Sequence, residues 1–384
     1  MLTDRQTDRQ TDRQTDRQTD RQTDRQSNFE LLRIIGILFV ILSHYAMHME
    51  IAYTSELSVN KFLLQVFRSG GQAAVDFFVI LSGYFLIKQQ FKLKHLIKMM
   101  GEVWLYSVII LLIALYIGID GIGFKKIIKG LLPFGINTWF AYTYFVMYLL
   151  FPFINSFLLK LSQKNYLLLL LLGFVLWFCF PTFTKVKMQF SPLVLFCYLY
   201  SVGAYFKIFY QNKKINNALK ILICGYLFML LTTIGVDLMS LKYDCFIKKP
   251  FYFTSGQTNV FSLIVAIGWF LYFKDKKIKH NKYINFIAST TFGIYLLHAN
   301  SLTEGYLYNS VFNNQEYFYS EFMILHAVFT IFLIFIVCSF IDYWRLTFIE
   351  KPLFKYLNPK IDNLETKLRA KLDIILERII RKTV

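Results

Sequence analysis

The sequence predicts an all-α, polytopic membrane protein of about ten transmembrane helices with both termini on the cytoplasmic side, and three observations predict it. Hydrophobic residues make up 56% of the 384-residue chain and charged residues 17%, with a mean hydropathy of +0.44, which is too apolar for an ordinary soluble domain. Apolar runs of membrane-crossing length recur along the chain. Lys and Arg gather in short clusters between those runs. The formal net charge of +18 therefore reads as a topology signal; the cations form no single polar face, and no nucleic-acid partner is expected.

Residues 3–26 are six copies of Thr-Asp-Arg-Gln, with nothing apolar to bury, so residues 1–27 are expected to be disordered. Back-translated as ACA-GAC-AGA-CAG, the repeat is the tetranucleotide ACAG written over and over. Such a tract gives the same peptide in every frame, while gain or loss of one unit shifts everything after it. A slipped-strand expression switch is the expectation; an acid-base spacer is the alternative.

The membrane domain is expected over residues 28–357, with spans near 29–49, 73–87, 96–119, 138–159, 166–183, 192–209, 219–241, 258–273, 284–302 and 322–348. The second, fifth and ninth are short or carry polar residues. With the N-terminus inside, the clusters around Lys88, Lys160, Lys207 and Lys274 fall in cytoplasmic loops, and the cation-free stretch 304–321 falls outside. Lys125, Lys126, Lys129, Lys185, Lys187, Lys242, Lys248 and Lys249 land on the outer side, against the rule. The tail, residues 358–384, carries Ile361, Leu364, Leu368, Leu372, Ile375 and Ile379 at helical spacing among cations, which fits a helix lying on the inner surface or a short coiled coil. The first apolar run is too long for a signal peptide, so it should stay as a helix. Five scattered cysteines have no metal-ligand spacing and read as packing residues; no metal is expected.

The first span carries the chemistry. Arg33 and His44 are eleven residues apart, close to three helical turns, so they share one face with about 16 Å between them along the axis. Ionisable groups are costly in hydrocarbon and usually face a polar interior. Glu30 can pair with Arg33, and His48 lies one turn beyond His44. A snorkelling anchor is the plain alternative for Arg33, and a helix-helix hydrogen bond for His44. Both on one face favour a site.

Five segments in order carry a resemblance. Glu30-x-x-Arg33 with His44; Gly71 to Tyr84, containing Asp76-Phe77-Phe78 and Ser82-Gly83-Tyr84; Asn137-Thr138-Trp139-Phe140; Thr291-Phe292-Gly293-Ile294-Tyr295-Leu296-Leu297-His298; and Ile349-Glu350-Lys351-Pro352 together resemble the acyltransferase 3 family of membrane acyltransferases. That family includes O-acetyltransferases of lipopolysaccharide and capsule. The chain has Thr291 where Ser is usual, and Lys88, Lys92 and Lys94 where the family often carries Arg. The resemblance implies transfer of an acyl group, acetyl first, from cytoplasmic acyl-CoA to a hydroxyl of a surface glycan, in a bacterial inner membrane. Acyl-CoA would be a co-substrate, with no bound cofactor; membrane lipids are the surroundings.

Acyl transfer needs a base or nucleophile near the thioester, positive charge for the coenzyme's phosphates and a dry polar cavity. Arg33 is expected to bind or orient the donor with Lys88, Lys92 or Lys94, and His44 to act as base or acyl carrier. Ser82, Tyr295 and His298 are candidates for the cavity lining, with Glu30 as the partner of Arg33. A flippase or exporter of lipid-linked glycans is the alternative, expected to spread paired charges over many helices, whereas here ionisable residues are expected to concentrate in the first. A glycan polymerase would need a larger external domain.

Overall fold

The first apolar run folds as helix α1 (Ser27–Met47), and the chain returns along it as α2 (Val59–Leu86). The computed structural model describes residues 26–49, 54–135, 139–184, 186 and 191–383, with side chains through Lys371. Nearly all of the repeat tract, Asn137, Thr138, Lys185, Lys187 and the side chains of Leu372, Ile375 and Ile379 lie outside the described residues. The remaining helices are α3 (Leu93–Ile117), α4 (Phe124–Leu131), α5 (Trp139–Leu158), α6 (Gln163–Phe174, continued by a π-helical turn to Thr184), α7 (Pro192–Phe209), α8 (Ala218–Ser240), α9 (Val260–Asp275), α10 (Lys282–Ala288), α11 (Thr291–His298), α12 (Met323–Trp344) and α13 (Lys351–Thr383). Among the described residues the regular structure is all helical.

Seven of these are long and apolar enough to cross a membrane: α1, α3, α5, extended α6, α7, α8 and α12 with its continuation. The protein is an all-α polytopic membrane protein. The other three expected runs differ instructively. The second begins at Val59 rather than 73, because its polar residues have partners inside the fold. Asn60 donates to the Phe318 carbonyl at 2.6 Å, Lys61 lies 3.1 Å from Asp237, and Arg68 donates to Ser43 Oγ at 2.7 Å. The eighth run, α9, is only 16 residues long. The ninth is broken at Ser289-Thr290 into α10 and α11, and the break turns Thr291 to His298 inward.

At the heart of the bundle α2 packs against α1, α7 and α9. A Cβ on Gly83 would stand 1.9 Å from the Tyr200 carbonyl oxygen, and one on Gly203 would stand 1.8 Å from that of Ile80. Backbone meets backbone there, a contact only glycine permits.

The stretch 304–321, expected as an outer loop, folds back on the bundle with Tyr308, Asn314 and Phe318 buried. The short helix α4 between the third and fourth spans was not expected. The last span passes through a π-helical turn, Arg345–Glu350, straight into α13, whose Glu365 accepts from the first backbone N–H of α3 at 3.0 Å. Arg369 donates to the Phe91 carbonyl. All five cysteines are free, but only Cys338 is buried; Cys224 and Cys245 are exposed, so packing does not explain them all.

Candidate active site

One face of α1 looks into a cavity of about 630 Å³ whose wall includes both Arg33 and His44. The helical spacing thus puts both residues on one chamber, at opposite ends of a wall some three turns long. Phe78 and Ser82 of α2, Trp139, Phe140 and Tyr144 of α5, and Thr291, Phe292 and Tyr295 of α11 complete much of the enclosure. Ser82 Oγ donates to the Phe78 carbonyl at 3.0 Å within its own helix. Tyr295 packs edge-on against Phe140, centroids 5.6 Å apart.

At the Arg33 end, the guanidinium lies 3.1 Å from Glu30, which is nearly buried, while a third of the Arg33 side chain remains exposed. Glu30 therefore fixes the arginine and leaves donors free to face the cavity. Lys88 and Lys92 are exposed, Lys94 is half-buried, and none of the three contributes to the cavity wall.

The His44 end holds what the sequence did not reveal. Glu304, just after the broken ninth run, brings one carboxylate oxygen 3.0 Å from His44 Nδ1 and 3.3 Å from His48 Nε2. Burial pushes the Glu304 carboxyl up, but the two imidazoles beside it more than reverse this and hold it well below the usual carboxylate range. A carboxylate there favours a proton on His44 Nδ1 and leaves Nε2 as the nitrogen not committed to it. The His298 ring lies 5.2 Å from that of His44, is wholly buried, and donates from Nδ1 to the Ile294 carbonyl at 2.6 Å. His48 stacks on Tyr308 at 5.1 Å. Arg68 and Gln72 also line this end. Glu304 had no distinguishing sequence signal, since Glu316 and Glu321 stand in the same stretch, whereas Arg68 had one as the only arginine between Arg33 and Arg345.

Buried charge is not confined to α1, contrary to expectation. Arg345 is bonded to Asp342 at 2.7 Å, Glu102 at 2.9 Å and Glu350, which also pairs with Lys98. Tyr106 donates to Asp342 at 2.6 Å. A Cβ on Gly293 would fall 2.1 Å from Asp342 Oδ1, so the Thr-Phe-Gly segment of α11 packs directly on this network. The distribution of charge thus no longer argues against the exporter alternative.

Fold and cavity define a membrane-embedded protein built around a chamber lined by two arginines, Arg33 and Arg68, and by His44. The family model described as an acyltransferase domain matches residues 26–343, and the chain belongs to the acyltransferase 3 family. It is a membrane acyltransferase. No curated protein and no solved structure matches it.

Proposed function

We propose that the protein transfers an acyl group, acetyl in the first instance, from cytoplasmic acyl-CoA to a hydroxyl of a cell-surface glycan in a bacterial inner membrane. The observation that carries the reading is the single cavity walled by both Arg33 and His44. With the N-terminus inside, Arg33 faces the side where coenzyme A is found, and the pantetheine arm runs along the chamber towards His44. His44 Nε2 takes the proton of the acceptor hydroxyl as its oxygen attacks the thioester carbonyl. The C–S bond breaks, and the proton passes to the departing thiolate. Glu304 holds the imidazole and offsets its charge while it is protonated. The Nδ1 contact leaves Nε2 available in either role, and the base is the simpler one because it needs no covalent acyl-imidazole.

The test is mass spectrometry of surface glycans from strains with the gene, without it, and with His44→Ala. The variant should insert at normal abundance and lose acylation by about 10²-fold or more. A variant present at wild-type level with full acylation would sink the assignment. Repeat number sequenced across the same colonies tests expression switching: acylated and unacylated colonies should differ in ACAG count.

A further inference from the structure

Beside the chamber lies a second cavity of about 340 Å³, lined by Lys248, Lys249, Thr182, Tyr252 and Asn259, and sharing Ser255 and Gly256 with the first. The cavity lies towards the His44 end, because the Pro250 carbonyl in its wall accepts from Gln65, one turn before Arg68, which is bonded to Ser43 next to His44. We propose that this cavity is an acceptor subsite that binds the carboxylate or phosphate group of an acidic sugar, and so makes the substrate an anionic glycan. The proposal rests on the function given above.

Charge and rigidity carry the argument. The lysines sit where topology disfavours them, on the side opposite Arg33, so membrane insertion does not account for them. Among the described residues no Asp or Glu lines the cavity and no ion pair engages either ammonium. The loop's own acid, Asp244, is exposed outside the wall, and neighbouring Asp237 is committed to Lys61 and Gln65.

Three polar contacts tie the loop and its flanks down, while the buried Thr254 hydroxyl has no partner among the described residues. Gln65 donates to the Pro250 carbonyl at 3.0 Å, Tyr252 donates to the Thr182 carbonyl at 3.1 Å, and Asn259 donates to the Phe253 carbonyl at 2.7 Å. This loop places two lysines on the border of one concavity beside the reaction chamber, Lys248 exposed and the Lys249 ammonium 5.1 Å from the centre of the Phe246 ring, from which a flexible stem can swing to an anion. Lysine suits the task, since a point charge accepts a carboxylate or phosphate without demanding one fork geometry.

Full-length protein in phosphatidylcholine nanodiscs would be titrated with a galacturonate oligomer, glucose 1-phosphate and a neutral dextran oligomer. At least one acidic probe should bind and dextran should not. Binding should weaken with salt, fall about 10-fold in Lys248→Gln/Lys249→Gln, and return in the Arg double variant. No acidic binding, equal binding of dextran, or an unchanged Gln variant overturns the proposal. So does loss of probe binding when phosphatidylglycerol replaces phosphatidylcholine, which would assign the lysines to lipid headgroups. Acetyl-CoA binding by the wild type is measured in parallel. Its absence would strike the donor reading while the anion measurement stands.

Discussion

Two clusters of charge sit inside this bundle and behave differently. Around Arg345, two cations and three carboxylates close on one another, with Tyr106 completing the ring of partners. Around His44, one carboxylate serves two imidazoles beside an open chamber, and the second nitrogen of His44 has no partner among the described residues. The difference teaches what buried charge is for. A network whose charges are spent on each other can hold helices in place; only one that leaves a group facing a cavity can act on a substrate.

The largest effect should therefore come from the closed network. Arg345→Met strands Glu102, Asp342 and Glu350 with Lys98 as their remaining cation, at a cost of about 3–5 kcal/mol. Membrane abundance and thermal stability in detergent should both collapse. Adding Glu102→Gln and Asp342→Asn should recover much of the protein, because the stranded charges are removed. A stable, abundant but inactive Arg345→Met protein would move this network from scaffold to catalysis and erase the contrast.

The sequence carried part of one cluster, its histidines, and hid the other. Arg33 and His44 were legible because helical period alone puts them on one face. Glu304 was not, since its approach depends on the break at Ser289-Thr290 and the inward fold of a stretch that polarity assigned to an outer loop. The Arg345 network joins α3 to the last span, 243 residues away in the case of Glu102, and no local pattern reports such a pairing. Glu350 stands out in the sequence only as part of the Ile349-Glu350-Lys351-Pro352 motif. The expected second span starts at 73 rather than at Val59 for the same reason: hydropathy sees Lys61 and Arg68, but not the partners that make them tolerable inside.

Glu304→Gln sharpens the open cluster. The amide keeps the shape and removes the charge, so His44 loses the anion that orients it and balances its protonated form. Acylation should fall by about 10²-fold, with abundance unchanged. His44→Ala combined with Glu304→Gln should be little worse than His44→Ala alone, because the carboxylate acts through the ring. Multiplying losses in the double variant would show that Glu304 works on the substrate directly.

Arg33 stands between the two clusters: paired with Glu30 as Arg345 is paired, yet a third exposed on the chamber as His44 is open to it. Arg33→Lys decides which neighbour it resembles. If Arg33 only anchors the helix, lysine keeps the ion pair at i and i+3, and neither abundance nor acylation should change. If it orients the donor's phosphates, the planar fork matters and the point charge is a poor substitute. Acylation at limiting acetyl-CoA should then fall about fivefold, equivalent to roughly 1 kcal/mol, and approach the wild-type rate when the donor is saturating. A loss that persists at saturating donor would place Arg33 in the transition state instead, and the division of the chamber into a donor end and a reacting end would have to be redrawn.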